Sequence, residues 1–168
     1  MAQSKLPKYV TKLLNKTKGA VIKLDLGCGD AKQAGFIGLD NRKLPGVDII
    51  TDVETRPLPL PSTCAVLAMA RNLIEYIEPK NFIGFMNEVW RVLKVDGQFL
   101  ILTPYAGSTA WLSDPLIING VTAKTWKFFD PTSPNYKLYS PKPWRLEACY
   151  FRQEGNMEVL LIKCKETK

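Results

Sequence analysis

Short apolar runs punctuate the first two-thirds of the chain, at residues 20–26, 36–39, 47–50, 65–70 and 98–102, each bounded by polar or glycine-containing segments. Continuous runs of this length predict buried strands. Between the fourth and fifth runs the period changes. Pro79 opens a segment in which Phe82, Ile83, Met86, Val89, Trp90 and Leu93 recur at steps of three and four, and Asp96-Gly97 closes it. Proline fits the first helical turn, so this segment predicts an amphipathic helix. Strand, helix, strand in that order predicts a parallel sheet, because parallel neighbours require a crossover connection.

Past Thr103 the pattern breaks into a stretch rich in Pro, Ser, Thr and aromatic residues. Residues 105–143 read as a cover on the substrate side of the sheet, with a short helix expected from Thr122, as its cap, to Phe129. Residues 144–152 and 157–165, joined through Glu154-Gly155-Asn156, predict a terminal β-hairpin. Nothing in between resembles a repeat or a linker, so one domain over residues 1–168 is expected. At the other end, Leu6, Val10, Leu13 and Leu14 face away from Lys5, Lys8, Lys12 and Lys16, which predicts a basic amphipathic helix between Pro7 and Thr17 within a segment spanning residues 1–19.

The formal net charge of +7 changes the picture only locally. The first 23 residues hold six lysines and no acid, and the remainder is nearly balanced. The basic helix therefore has two readings: a leader whose apolar stripe packs on the domain, or an arm for an anionic partner such as nucleic acid. Four cysteines stand far apart without a CxxC pair, and there is no histidine, so no metal site is expected and a reducing cytoplasm fits. No segment approaches the roughly 20 uninterrupted apolar residues of a membrane span.

The stretch Lys23-Leu24-Asp25-Leu26-Gly27-Cys28-Gly29-Asp30 delivers an apolar strand straight into a Gly-x-Gly turn. Glycine reaches positive φ without strain and lets a ligand approach the backbone closely. Asp40 closes the next apolar run and could accept both hydroxyls of a ribose, and Asp52 closes the third. Strands ending in Gly-x-Gly, Asp and Asp place these groups along the carboxyl edge of a parallel sheet, where open α/β folds bind ligands. The competing reading makes both acids ordinary turn residues.

Leu24-Asp25-Leu26-Gly27-Cys28-Gly29 resembles motif I of the class I S-adenosylmethionine-dependent methyltransferases. Asp52 with Leu58-Pro59-Leu60-Pro61, and Asn87-Glu88-Val89-Trp90-Arg91-Val92-Leu93-Lys94 with Asp96-Gly97, resemble two further stretches of that family. The resemblance implies a Rossmann-like α/β three-layer sandwich, mostly parallel, with an antiparallel C-terminal hairpin strand. It implies S-adenosylmethionine as cofactor and methyl transfer to an acceptor, a small molecule or saccharide before nucleic acid. Carried onto this chain, Gly27, Cys28 and Gly29 would pass beside the methionine part, with Asp25 nearby. Asp40, with Asn41 beside it, would hold the ribose, and Asp52 and Val53 would face the adenine. Arg71 and Asn72, after the fourth strand, would reach cofactor and substrate.

The chain departs from the family pattern in two places. The step of 11 residues from Gly29 to Asp40 cuts the helix that normally follows motif I to a turn or less around Ala31 to Gly35. A histidine that relatives often carry after the fourth strand is absent where this chain has Asn72-Leu73-Ile74-Glu75-Tyr76-Ile77. If the acceptor must lose a proton, the candidates are Glu75, Tyr105 and Asp114, although solvation, packing and turn roles respectively account for each as well. A nicotinamide enzyme would want a small residue where Lys32 stands. A non-catalytic protein that keeps the cofactor fold is the alternative from another class.

Overall fold

The computed structural model of the protein describes residues 6–16, 19 and 21–166, so the expectations on Lys5, Thr17, Lys18 and Ala20 lie outside the described residues. Seven strands form one sheet: β1 (Lys23–Leu26), β2 (Ile37–Asp40), β3 (Ile49–Ile50), β4 (Ala65–Arg71), β5 (Leu93–Pro104), β6 (Trp144–Phe151) and β7 (Asn156–Lys163). Their order is β3-β2-β1-β4-β5-β7-β6. The first five are parallel and β7 runs antiparallel to both neighbours, which is the mixed sheet the sequence pattern predicts. The chain moves outward from β1 to β3, then returns to the other side of β1 as β4. That reversal makes the carboxyl ends of β1 and β4 the topological switch point, the usual seat of a ligand in open α/β sheets.

One face of the sheet carries the core. Leu24, Leu26, Ile37, Leu39, Ala68, Ala70, Phe99 and Ile101 are all buried, and strand alternation with the observed register puts them on the same side. The two small alanines of β4 stand opposite Phe99 and Ile101 of β5. Against this face lies α2 (Pro79–Val92), which buries Phe82, Phe85, Met86 and Val89 at helical spacing. Phe85 meets Phe99 at 6.2 Å between ring centroids, and Phe99 meets Trp144 at 5.9 Å. Full burial of each such ring stabilises by about 2 kcal/mol.

The end of α2 corrects the sequence reading. Leu93 belongs to β5 rather than to the helix, and Asp96-Gly97 forms an irregularity inside the strand instead of a helix stop. The helix can end abruptly because its terminal carbonyls have partners: Thr63 and Cys64 donate their N–H groups to Arg91 and Val92, and Lys163 Nζ donates to the Leu93 carbonyl at 2.8 Å. The helix expected at Thr122–Phe129 is a single 3₁₀ turn over Thr125–Phe128, and Thr122 does not cap it with its side chain. The cover also holds α3 (Thr109–Ser113), whose N-cap Ser108 Oγ accepts from Trp111 N–H. Trp126 and Phe129 are buried edge-on against Phe82, so this part of the cover belongs to the α2 layer.

At the N-terminus, α1 (Lys8–Lys16) buries Val10 in the main core, with Leu13 and Leu14 half-buried beside it and Lys8, Lys12 and Lys16 exposed. Among the described residues no helix is long and apolar enough to cross a membrane.

Candidate functional site at the glycine turn

Gly27 and Gly29 both adopt left-handed backbone, at φ 63° and 55°, where a side chain would strain the turn. This turn is tied directly to the next strand. Gly29 N–H donates to Asp40 Oδ2 at 2.9 Å, and Cys28 N–H donates to the Leu39 carbonyl at 3.1 Å. Asp40 Oδ1 accepts from Arg42 twice, from its backbone N–H at 2.9 Å and from Nε at 3.1 Å. Burial pushes the Asp40 carboxyl up, but the hydrogen bonds from Arg42 and Gly29 outweigh it and hold its pKa below the ordinary aspartate value. It is a fixed anion.

Beneath the turn, Asp25 is only 1% exposed. Its Oδ2 accepts from Gln33 N–H at 2.8 Å and from Arg71 Nη2 at 3.0 Å, and the same guanidinium nitrogen donates to the Ala31 carbonyl at 2.7 Å. Asp25 Oδ1 is buried with no partner among the described residues, as is Arg71 Nε. Orphaned buried charge-bearing atoms are costly unless something else satisfies them.

No regular helix connects β1 to β2, as the short spacing predicts. The stem of Lys32 takes over part of its packing duty. A Cβ on Gly38 would meet Lys32 Cδ at 2.6 Å and Cys28 Sγ at 2.8 Å, so only glycine admits these chains against β2. Lys32 Nζ and Gly38 N–H both reach Asp48 Oδ2 at 2.8 Å. The lysine thus covers the sheet with its methylenes and keeps its charge paired at the rim. Burial first, then the charges of Asp25 and Asp40, push the Cys28 thiol up to about 11. It stays protonated near neutral pH and is no nucleophile.

Gly27, Cys28, Gly29, Asp25, Asp40 and Arg71 therefore come together. Among the described residues, the other sequence candidates make no hydrogen bond to this turn. Asp52 is spent on its own turn: Oδ1 accepts from Glu54 and Thr55 N–H, and Oδ2 accepts from the Thr55 hydroxyl at 2.6 Å. Val53 is buried in the main core, whereas Asn41 and Asn72 are exposed. Asn72 turns the chain at φ 48° and donates its N–H to the Leu102 carbonyl of β5. Leu73 follows it and lies over Gly27, where a Cβ would come within 2.8 Å of its side chain.

The three proposed bases are all engaged. Glu75 is 1% exposed and accepts from the Thr103 hydroxyl at 3.0 Å; burial raises its pKa. Tyr105 packs edge-on to Phe151 at 5.1 Å. Asp114 accepts from the Tyr76 hydroxyl at 2.5 Å, which pushes the tyrosine up to about 12. Beside these strand ends a cleft of about 560 Å³ opens, lined by Leu102 and Glu158 and by the hairpin tip from Phe151 to Glu154.

Sequence reasoning missed Arg42 and Leu73, both in contact with the turn. Arg42 carried a weak local signal: an aspartate that closes a strand commonly accepts from the N–H two residues on, as Asp40 does from Arg42. Leu73 carried none, since only the tertiary fold brings it over Gly27.

With this geometry, the comparisons with solved structures are informative. A SAM-dependent methyltransferase of Methanosarcina mazei matches at TM-score 0.63 with 15% identity, over 86% of this chain and 92% of that one. The 1,6-didemethyltoxoflavin-N1-methyltransferase of Burkholderia thailandensis, with bound 1,6-didemethyltoxoflavin and S-adenosylhomocysteine, matches at 0.62 with 12% identity, over 94% and 78%. The 16S rRNA (adenine(1408)-N(1))-methyltransferase of Catenulisporales acidiphilia, with SAM, matches at 0.61 with 14% identity, over 100% and 98%. This is the class I methyltransferase fold. No family model and no curated protein sequence matches the chain significantly.

Proposed function

We propose that the chain binds S-adenosylmethionine at the carboxyl ends of β1, β2 and β4 and transfers its methyl group to a small-molecule or saccharide acceptor. The observation that carries this reading is the left-handed Gly27–Gly29 turn bonded to the Asp40 carboxylate at 2.9 Å. The residues fit such a ligand. Asp40 is held as an anion suited to ribose hydroxyls, and Gly29 carries no side chain of its own to hinder a ligand at its backbone. Gly27, Cys28 and Arg71 would complete the holding set, with Asn41, Asp52, Val53 and Asn72 at its margin.

When bound, the cofactor supplies an activated methyl group, so the chain's own task is to align a nucleophile and exclude water. The cleft beside Leu102 is the natural seat for the acceptor, one strand from Arg71. The packing of α1 through Val10 favours the leader-helix reading over a nucleic-acid arm. Because Glu75 and Asp114 each hold a hydrogen bond from a protein hydroxyl and the Tyr105 ring is packed on Phe151, a non-catalytic S-adenosylmethionine-binding role is the second reading.

Calorimetric titration with S-adenosylmethionine, S-adenosylhomocysteine and NAD tests the first step. Binding of the two sulfur ligands alone is expected, and binding of NAD alone refutes it. A tritiated-methyl screen over small molecules, saccharides and RNA then separates enzyme from scaffold.

A further inference from the structure

Arg42 occupies the place that the cofactor reading needs. Its Nε donates to Asp40 Oδ1 at 3.1 Å, and its Nη2 lies 3.5 Å from where a Cβ on Gly29 would sit. The guanidinium thus spans both halves of the ribose grip, the carboxylate and the open glycine. A carboxylate offers about four acceptor positions. Gly29 N–H, Arg42 N–H and Arg42 Nε already fill three. Two ribose hydroxyls need two, so one existing bond must be given up.

The Nε bond is the one that can go most cheaply. The two backbone donors are fixed by the turn and by the strand end, whereas the Arg42 side chain is 64% exposed, so water can solvate its guanidinium once it leaves the buried Asp40. A second acid is at hand to receive it: Asp30, immediately after the glycine turn, already attracts the guanidinium electrostatically.

Resting on the cofactor reading, we propose that Arg42 is a displaceable occupant of the sugar seat that sets cofactor affinity. In the free chain it lies across Asp40 and Gly29, and a nucleoside is clasped only when it swings outward toward Asp30. Arg42 is in this sense a positioning residue that competes with the ligand.

The sign of the effect makes the test specific, because loss of a residue that supports the site would weaken binding, whereas loss of a competitor tightens it. Calorimetry of the full chain and of Arg42→Ala with S-adenosylhomocysteine and with adenosine is the experiment. Arg42→Ala is expected to bind both about two- to fivefold more tightly. It should gain nothing for 2′,3′-dideoxyadenosine, which lacks the competing hydroxyls. Asp30→Asn, which removes the alternative partner, should bind both ribose ligands more weakly. If the unaltered chain binds S-adenosylhomocysteine and Arg42→Ala binds it equally or less tightly, the competition is refuted while the cofactor reading stands. If neither protein binds any of these ligands, the cofactor reading falls with it.

Discussion

Two carboxylates on neighbouring strand ends are equally hidden, yet their surroundings differ in kind. Asp25 at the end of β1 and Glu75 just past β4 are each 1% exposed. Asp25 faces the Arg71 guanidinium and the Gln33 amide. Glu75 faces a hydroxyl, its own backbone N–H and the negative charge of Asp114, and burial raises its pKa. Burial penalises the charged form of an acid, and a cation in contact favours it. Hence the glycine-turn side of the sheet edge sets its carboxylate against a guanidinium, and the β4–β5 side sets its carboxyl against a hydroxyl and a like charge.

The sharpest way to break that contrast is to remove the charge on the first side. Asp25→Ala leaves Arg71 with the Ala31 carbonyl but no counter-charge and the Gln33 N–H without an acceptor, and should destabilise the fold by about 3 kcal/mol in urea unfolding. Asp25→Asn keeps an acceptor and loses the charge, so about half that loss is expected. Equal losses in the two variants would mean that the hydrogen bonds contribute nothing beyond the charge.

Changing the cation is a milder probe. Arg71 is about a third exposed, and one nitrogen serves both Asp25 and the Ala31 carbonyl. Arg71→Lys keeps the charge on a stem one bond shorter, which draws the donor back from Asp25 and from the Ala31 carbonyl that anchors the short Ala31–Gly35 link. A loss of about 1 kcal/mol is expected by the same measurement. A neutral result would show that charge alone organises the turn.

The difference between the two sides also explains what could be read in advance. The glycine turn was legible because its constraints are local: Gly27 and Gly29 stand where φ must be positive, and Asp40 closes a strand. The parallel sheet and its hairpin were legible from run lengths and turn residues. The α2–β5 junction was not, because the carbonyls that let the helix stop at Val92 are met by Thr63, Cys64 and Lys163, all distant in sequence. Asp52 was ambiguous for a local reason. An aspartate after a strand can face a ligand or cap its own turn, and Thr55 supplies the hydroxyl that draws it into the turn. Glu75 resembled a solvated helix residue because its burial is created by the cover, where Ile118 and Asn119 donate their N–H groups to its carbonyl.

The smallest effect at a single pH, and the most diagnostic across a range, belongs to Glu75. Its folded pKa lies above the unfolded value of 4.5, so the stability contributed by its retained proton is fully present below that value. It is lost as pH rises through the folded pKa, since the unfolded chain then ionises freely while the folded one must hold a proton or bury a charge. Glutamine keeps a partner for the Thr103 hydroxyl and has no proton to lose. Glu75→Gln should therefore match the unaltered protein in melting temperature near about pH 4 and exceed it increasingly toward about pH 8. Parallel melting profiles over that range would mean that Glu75 ionises within the fold at no cost, and the two carboxylates would no longer differ in kind.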